Sequence, residues 1–477
     1  MEKSNSIGWK IQKYFLSLIS MLRTNIRDYG MYIALFVIFI IFSILTDFVF
    51  LQPYNFTNLL NQTAYVAVLA VGMTLVIVTR QIDLSVGYIG AFLGAYVVVA
   101  VENLGQPVWL AIGGALVITI IVGIIKGLLI AKIKVPAFVV TLAGMFIFKG
   151  FLYSKTSNSF IPTTNNFFKQ VGSGYLPTWS ISGSEMDIIT LFIGAIAIVA
   201  LVVGGIRTRR KNIELRIPNE KIELFITKLV FMIGVVGYLM FTFSAYRGIS
   251  YLLLITVGVV VVYHFMTTKT TLGRRIYAVG GNPEAAELSG ISVEKILVIV
   301  FVSMGILAMF AGIMYASKLQ NTSPNHGPFW ELYAIAAAFI GGTSAAGGVG
   351  KVVNAVIGAI VIVALKNGMA LAGIDSNIEP VILGGVLLLA VVFDIFTRNV
   401  KPIDYVGIHY AKVLFKAEYM EAKANFKKAK LDVKEAEKNN DENLIEFEYA
   451  FTNAQGLFNK VNDKIRLSKE EDFAEQN

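Results

Sequence analysis

The chain has 477 residues, of which 56% are hydrophobic and 15% charged, with 41 Lys and Arg against 32 Asp and Glu. A water-soluble protein of this length carries far more surface charge, and repeated apolar runs of about 20 residues indicate a polytopic all-α membrane protein rather than a β-barrel of short alternating strands. The absence of cysteine excludes disulfides, thiolate nucleophiles and Cys-based metal centres, and the +9 net charge does not signal nucleic acid, since basic residues of membrane proteins collect in cytoplasmic loops.

In chain order, residues 1–30 form a basic N-terminal segment, of which 10–22 suits a helix lying on the membrane surface. The first apolar run, 31–50, is too long for a signal-peptide core and is followed by no small-residue cleavage site, so it reads as span one. Further spans are expected at 59–79, 84–101, 108–125, 135–151, 188–206, 224–243, 249–266, 296–316, 331–343, 352–371 and 380–396. The expected fold is therefore about 12 transmembrane helices, within a range of 10 to 13. The loop at 152–187 is rich in Ser, Thr, Asn and Gly, with a short helix expected around 165–170. With the N-terminus inside, one orientation accounts for every basic cluster: Arg80, the lysines of 126–134, and the basic residues of 207–221, 269–275 and 398–401 all fall on the cytoplasmic side. From 398 to 477 the composition shifts to Lys, Glu and Ala, broken at Asn439-Asn440-Asp441. This tail reads either as a cytoplasmic helical hairpin or as a solvated charged extension.

The polar insert at 271–295, TLGRRIYAVGGNPEAAELSGISVEK, is longer than a simple reconnection of two spans requires. Asn282 suits a helix cap, Pro283 a first helical position, and Glu284, Ala285 and Ala286 a helix interior; Gly290 suits its stop. The topology places this short helix in the cytoplasm, where a partner can dock on it. The Gly-rich GGTSAAGGVGK at 341–351 is not a phosphate loop. Ala345 stands where such a loop needs its first glycine and Val352 where it needs Ser or Thr, so a close-packed turn is expected instead. If ATP drives this protein, a different chain holds it.

RQIDLSVG at 80–87 sets Asp83 at the head of an apolar run. Two readings stand. Asp83 is a helix N-cap accepting from the amides of Ser85 or Val86, or it belongs to a conformational gate with Ser85 and their neighbours. Asn61, Gln62, Asn354 and Asn367 are further polar residues in or beside spans, able either to line a pathway or to bond helices together. Lys126 and Lys149, near predicted helix ends, read as snorkelling side chains. His264, His326 and His409 lie in different regions and form no catalytic or metal set.

At this point the chain resembles a known family. VGMTLVIVTRQIDLSVG (71–87), VPAFVVTLAGMFIFKG (135–150), YRGIS (246–250), LGRRIYAVGGNPEAAELSGI (272–291), FIGGTSAAGGVG (339–350) and the segment 364–398 resemble, in order, motifs of ribose- and xylose-type permeases of sugar ABC importers. The resemblance implies a permease domain over 31–397 that pairs with a second copy or a homologue within the membrane lipid. It also implies an ABC ATPase on the cytoplasmic side and an extracytoplasmic sugar-binding protein on the other. The family's EAA motif falls on Glu284, Ala285, Ala286 and Gly290, implying that 271–295 couples to the ATPase. The chain itself is expected to be no enzyme and to bind no cofactor, ATP being held by the partner, and to lie in the cell (plasma or inner) membrane with both termini cytoplasmic. Lys126-Gly127 stands where the family commonly has Asn-Gly, and Arg80-Gln81 replaces more usual small residues. Two competing expectations are a proton- or cation-coupled secondary transporter working through Asp83, and a scaffold or sensor whose tail is the functional part.

Overall fold

A computed structural model describes residues 26–179, 186–215, 222–375, 377–397, 416–439 and 444–474. The expected surface helix at 10–22 and most of the junction between the last span and the tail lie outside these residues. The described chain is built of α-helices with one two-stranded ribbon, in two compact units.

The larger unit comprises 27–198 and 235–399. Its helices are α1 (Ile26–Leu45), α2 (Pro53–Val78), α3 (Val86–Glu102), α4 (Val108–Ala131), α5 (Ala137–Lys155), the short α6 (Asn166–Ser173) and the first part of α7 (Ile188–Glu214). It continues with the last part of α8 (Ile222–Ser244), α9 (Tyr251–Lys269), α10 (Thr271–Gly281), α11 (Pro283–Leu288), α12 (Val293–Leu319), α13 (Trp330–Ile340), α14 (Val352–Leu371) and α15 (Glu379–Thr397). Eight of the described helices are long and apolar enough to cross a membrane; four shorter apolar helices, Gly30–Leu45, Val86–Glu102, Trp330–Ile340 and Glu379–Val392, occupy the other predicted span positions. The polar insert differs from expectation. It holds two helices, because Thr270 caps a preceding one through the Gly273 amide, making α10 of residues read as loop.

The core lies around α2 and α12. The apolar stretch of α2 is 89% buried and that of α12 67%. α12 packs against α3 on one side and α4 on the other. Gly123 and Gly127, one turn apart on α4, lie against the α12 backbone: a Cβ on either would stand 2.5 Å from Val302 Cα or 2.6 Å from Val298 Cα. Small residues at this spacing bring membrane helices together where a hydrophobic driving force is missing.

Away from this core, the ribbon pairs Ile161 with Thr322 and Pro162 with Asn321. It sits beside Glu102, whose carboxylate accepts from the amides of Thr164 and Asn165 at 2.7 and 2.9 Å. Asp187 heads α7. Burial pushes its carboxyl up, but bonds from the Thr190 hydroxyl and from the Trp179, Thr190 and Ile189 amides outweigh this and hold it below its ordinary value.

The second unit takes in 199–234 and the tail. There α16 (Lys416–Asn439) and α17 (Leu444–Ala474) pack together as a helical hairpin. Phe426 stacks on Phe451 and Phe458 with ring centroids 5.3 and 5.4 Å apart, so the tail has a small apolar seam of its own.

Candidate functional site

The short helix α11 is built by local chemistry. The Asn282 side chain accepts from the Ala285 amide at 3.0 Å, Pro283 occupies the first turn, and Glu284 lies at the positive end of the helix dipole. The helix ends where Gly290 turns left-handed at φ +81°, letting the Ile291 amide reach back to Ala286 O at 3.0 Å. Ala286 is buried against the bundle, while Glu284, Ala285 and Gly290 are exposed. Leu288 is 91% exposed, an isolated apolar side chain projecting from the helix.

Behind α11, three turns meet: 79–85 between α2 and α3, the α10–α11 corner, and the Gly-rich turn between α13 and α14. The Gly348 amide donates to Val78 O at 2.8 Å, and the Tyr277 hydroxyl to Gly350 O at 2.6 Å. A Cβ on Gly280 would collide with Val78 O, so only glycine lets α10 approach this closely. Arg80, itself left-handed at φ +62°, spans the gap. Its Nε donates to Gly280 O at 2.7 Å and its Nη2 to Gly281 O. These are the last carbonyls of α10, which lack helical partners and carry the negative end of its dipole. The guanidinium thereby ties the residues just before Asn282 to the turn that holds Asp83.

Asp83 has no exposed surface. Its Oδ1 accepts from the Ser85 amide at 3.0 Å and from the Ser85 hydroxyl, but the N-cap of α3 is Ser85 itself, so Asp83 braces the cap residue from the turn before the helix and is not the cap. Its Oδ2 meets Lys126 Nζ at 2.6 Å, and the same ammonium donates to Ser85 Oγ at 3.1 Å and lies 5.6 Å from the centre of the Phe301 ring on α12. Lys126 is 4% exposed and does not snorkel. Placed mid-groove beside Gly123 and Gly127, it points inward with those glycines, and the buried carboxylate gives its charge a partner. Lys149, by contrast, lies over the rings of Tyr88 and Tyr153 at 5.8 and 5.7 Å.

The remaining candidates fall elsewhere in the bundle. Asn61 accepts from the Ser250 hydroxyl at the cap of α9, and Asn367 exchanges amide hydrogen bonds with Asn55 at 2.9 and 3.0 Å. Both join helices. Gln62 is half-buried on α2, and Asn354 is buried in the first turn of α14 beside Gly341. The structure thus brings together Asp83 and Ser85, and ties their turn to the corner preceding Asn282 and Pro283. It does not place Asn61, Gln62 or Asn367 with them. Three residues of the site escaped the sequence reading in these roles. For Arg80 and Lys126 the available signal was their departure from the family pattern; for Leu288 it was a large apolar residue between Glu287 and Ser289 at the end of a short helix.

A family model described as "Branched-chain amino acid transport system / permease component" matches residues 55–391. The chain is 37% identical over 377 residues to the xylose transport system permease protein XylH of Haemophilus influenzae, covering 79% of this chain and 98% of that one. It is likewise 37% identical over 375 residues to XylH of Escherichia coli, covering 79% and 93%. Against the ribose import permease protein RbsC of Bacillus subtilis it is 33% identical over 367 residues, covering 76% and 92%. No solved structure matches the chain. The matched region ends before the hairpin α16–α17 and contains all three turns of the junction, and on its extent the chain belongs to the branched-chain amino acid transport system permease family.

Proposed function

We propose that this permease forms the membrane pathway of an ATP-driven importer of a monosaccharide, xylose or a related sugar, and that α11 is where a separate ATPase subunit docks. The observation that carries this reading is the tie from an exposed helix, α11, through Arg80 to the sealed Asp83 turn. A partner that seats Leu288 and the Glu284 face in a groove would move the α10–α11 corner. Arg80 would pass that displacement to the start of α3, and α12, joined to α11 through Gly290, would pass it to α3 and α4.

On this reading residues 31–397 are the permease domain and 271–295 its coupling segment, both termini are cytoplasmic, a second permease completes the pathway, and an external binding protein delivers the sugar. The alternative of a proton- or cation-coupled carrier gains no support from the relatives, and the Asp83 carboxylate is already committed to Lys126 and Ser85.

The test is reconstitution in proteoliposomes with a cognate ATPase subunit and sugar-binding protein, offered xylose, ribose and glucose. Uptake should require ATP and be strongest for xylose. Uptake that follows a proton gradient and ignores ATP would overturn the reading.

A further inference from the structure

Lys126, Lys149 and Lys366 each stand inside an apolar helix of the larger unit, but they are not equally provided for. Lys126 meets Asp83 at 2.6 Å. Lys366 on α14 meets Glu379 at 2.8 Å and donates to the Tyr333 hydroxyl at 3.0 Å. Lys149 on α5, half-buried, pairs with no acidic side chain among the described residues. Its ammonium rests on the rings of Tyr88 on α3 and Tyr153, one turn further along α5. A charge without a counter-ion at membrane depth is costly against lipid, and such residues face a wet pathway.

Helices α5 and α13 both pack against α3. Two adjacent residues of α3 serve them, Tyr88 under Lys149 and Gly87 under α13. Glu331, in the first turn of α13, sits against Gly87, where a Cβ would stand 2.5 Å from its Oε2. That oxygen is sealed and takes no hydrogen bond. The hydroxyls of Tyr88 and of the exposed Tyr153 bond no described residue either. An ammonium, a carboxyl oxygen and two phenols thus gather here without hydrogen-bond partners, beside tyrosine faces.

We propose that this crevice is a monosaccharide subsite of the permeation path, an inference that rests on the sugar-importer reading above. Lys149 donates to a sugar oxygen, Glu331 accepts from a sugar hydroxyl, and Tyr88 and Tyr153 offer hydroxyls and ring faces. The set fits a neutral polyol. A cation is repelled by Lys149, and an anion leaves the lone pairs of Glu331 unmet, whereas a sugar brings O–H donors, oxygen acceptors and an apolar C–H face together. A lipid phosphate would use Lys149 alone. A second copy presenting the same face brings Lys149 no free carboxylate, since Glu331 is sealed against Gly87 and Glu379 is bonded to Lys366. Sugar entering the crevice supplies the donor that Glu331 Oε2 lacks and draws the carboxyl off Gly87.

The chain has no cysteine, so introduced thiols can be read without background. Lys149→Cys and Tyr153→Cys, in the full-length protein in detergent, are treated with a charged methanethiosulfonate, which reacts with a solvated thiolate and not with a thiol in apolar surroundings. Val261→Cys, on an exposed apolar face of α9, is the lipid-facing control. The first two should be labelled far faster than the control. Xylose at high concentration should slow both severalfold, and sucrose at the same concentration should not. Adding Glu331→Gln or Tyr88→Phe to Tyr153→Cys should leave the labelling rate itself unchanged and remove most of the protection by xylose. Crevice positions labelled no faster than Val261→Cys would make this face dry and overturn the site. Labelling that xylose does not slow, or that sucrose slows equally, would leave water there but no sugar and overturn it too. Protection that survives both Glu331→Gln and Tyr88→Phe would take the sugar off these residues and overturn their assignment. No ATPase enters these measurements, so their failure leaves ATP-driven uptake standing, and failure of that uptake shows separately in the proteoliposomes.

Discussion

Glu284 and Asp83 are both acidic, and both stand at the start of a helix in the same unit, yet they live in opposite surroundings. Glu284 is solvated on a helix whose cap, proline and terminal glycine all lie within nine residues. Asp83 is sealed, and its partners come from 2 and 43 residues away in sequence. The first is free to meet another molecule; the second can respond only to movement of the bundle around it. Between them lies Arg80, which belongs to the turn of Asp83 but bonds the corner of Glu284's helix. The contrast teaches that docking and response are separate constructions, joined at a few hydrogen bonds, so each can be broken alone.

The largest effect is expected at the sealed end. Lys126→Met leaves the Asp83 carboxylate buried with only Ser85 to satisfy it, and stranding one member of a buried ion pair costs about 3–5 kcal/mol. A marked fall in thermal unfolding temperature in detergent, with loss of uptake, is the expected outcome. Asp83→Asn should behave similarly although asparagine also caps helices, because Lys126 loses its anion. Asp83→Asn combined with Lys126→Gln, neutral on both sides, should recover much of the stability. If the single variants are as stable as the wild type, the ion pair is not what holds this turn.

That pair also marks where the sequence stops being legible. The capped helix could be read from Asn282, Pro283 and Gly290 because its determinants are neighbours in the chain. The apolar runs located the helices for the same reason, and the shift of composition after residue 398 marked the tail while leaving a hairpin and a solvated extension both open. Lys126 read as a snorkelling lysine because nothing local reveals that Gly123 and Gly127 turn its face of α4 toward α12. Arg80 could not be matched to carbonyls 200 residues away. Asn61 and Asn367 carried amides suited equally to a solute or to another helix, and only the fold sets them against Ser250 and Asn55. Helix α10 was missed because Thr270 is an unremarkable cap among polar residues, and the packing of Ile276 and Val279 supplies what propensity does not.

The next effect tests the link itself. Arg80→Ala removes two charge-assisted hydrogen bonds, each worth about 1.5–3 kcal/mol where both groups are shielded and less at this partly exposed site. The bundle should survive, since the Gly348–Val78 bond remains. ATP hydrolysis by the assembled complex should persist while uptake falls roughly tenfold, the consequence of about 1.4 kcal/mol of lost coupling. Arg80→Lys should rescue only in part, because one ammonium cannot repeat the planar fork that reaches both Gly280 and Gly281. A parallel fall in hydrolysis and uptake would place Arg80 in ATPase docking instead of transmission.

At the exposed end, Glu284→Arg reverses the charge at the first turn of α11. Its effect on stability should be no more than about 1 kcal/mol, the scale of a helix-dipole interaction at the surface. Its effect on the complex should be larger: ATPase co-purification should drop, and uptake with it, while membrane insertion and unfolding temperature stay unchanged. Leu288→Asp should do the same through loss of the projecting apolar side chain. Undiminished co-purification in both variants would move the docking surface off α11.

The smallest effect separates backbone conformation from space, and the two glycines of the insert supply the pair. Gly280 has an ordinary helical backbone but no room, so Gly280→Ala forces α10 away from Val78 O. Gly290 has open space around its missing Cβ but a φ of +81°. Gly290→Ala should therefore cost only the left-handed penalty of about 1–2 kcal/mol, confined to the end of α11. Hydrogen exchange should quicken at the Gly290 and Ile291 amides, which close this turn on Glu287 and Ala286, and uptake should fall no more than severalfold. Gly290→Pro is a different lesion, since it fixes φ near −65° and deletes the N–H that Glu287 O accepts, so α12 can no longer leave α11 in the same direction. If alanine proves as damaging as proline, the turn matters for its surface and not for its path, and the route from α11 into α12 has to be sought elsewhere.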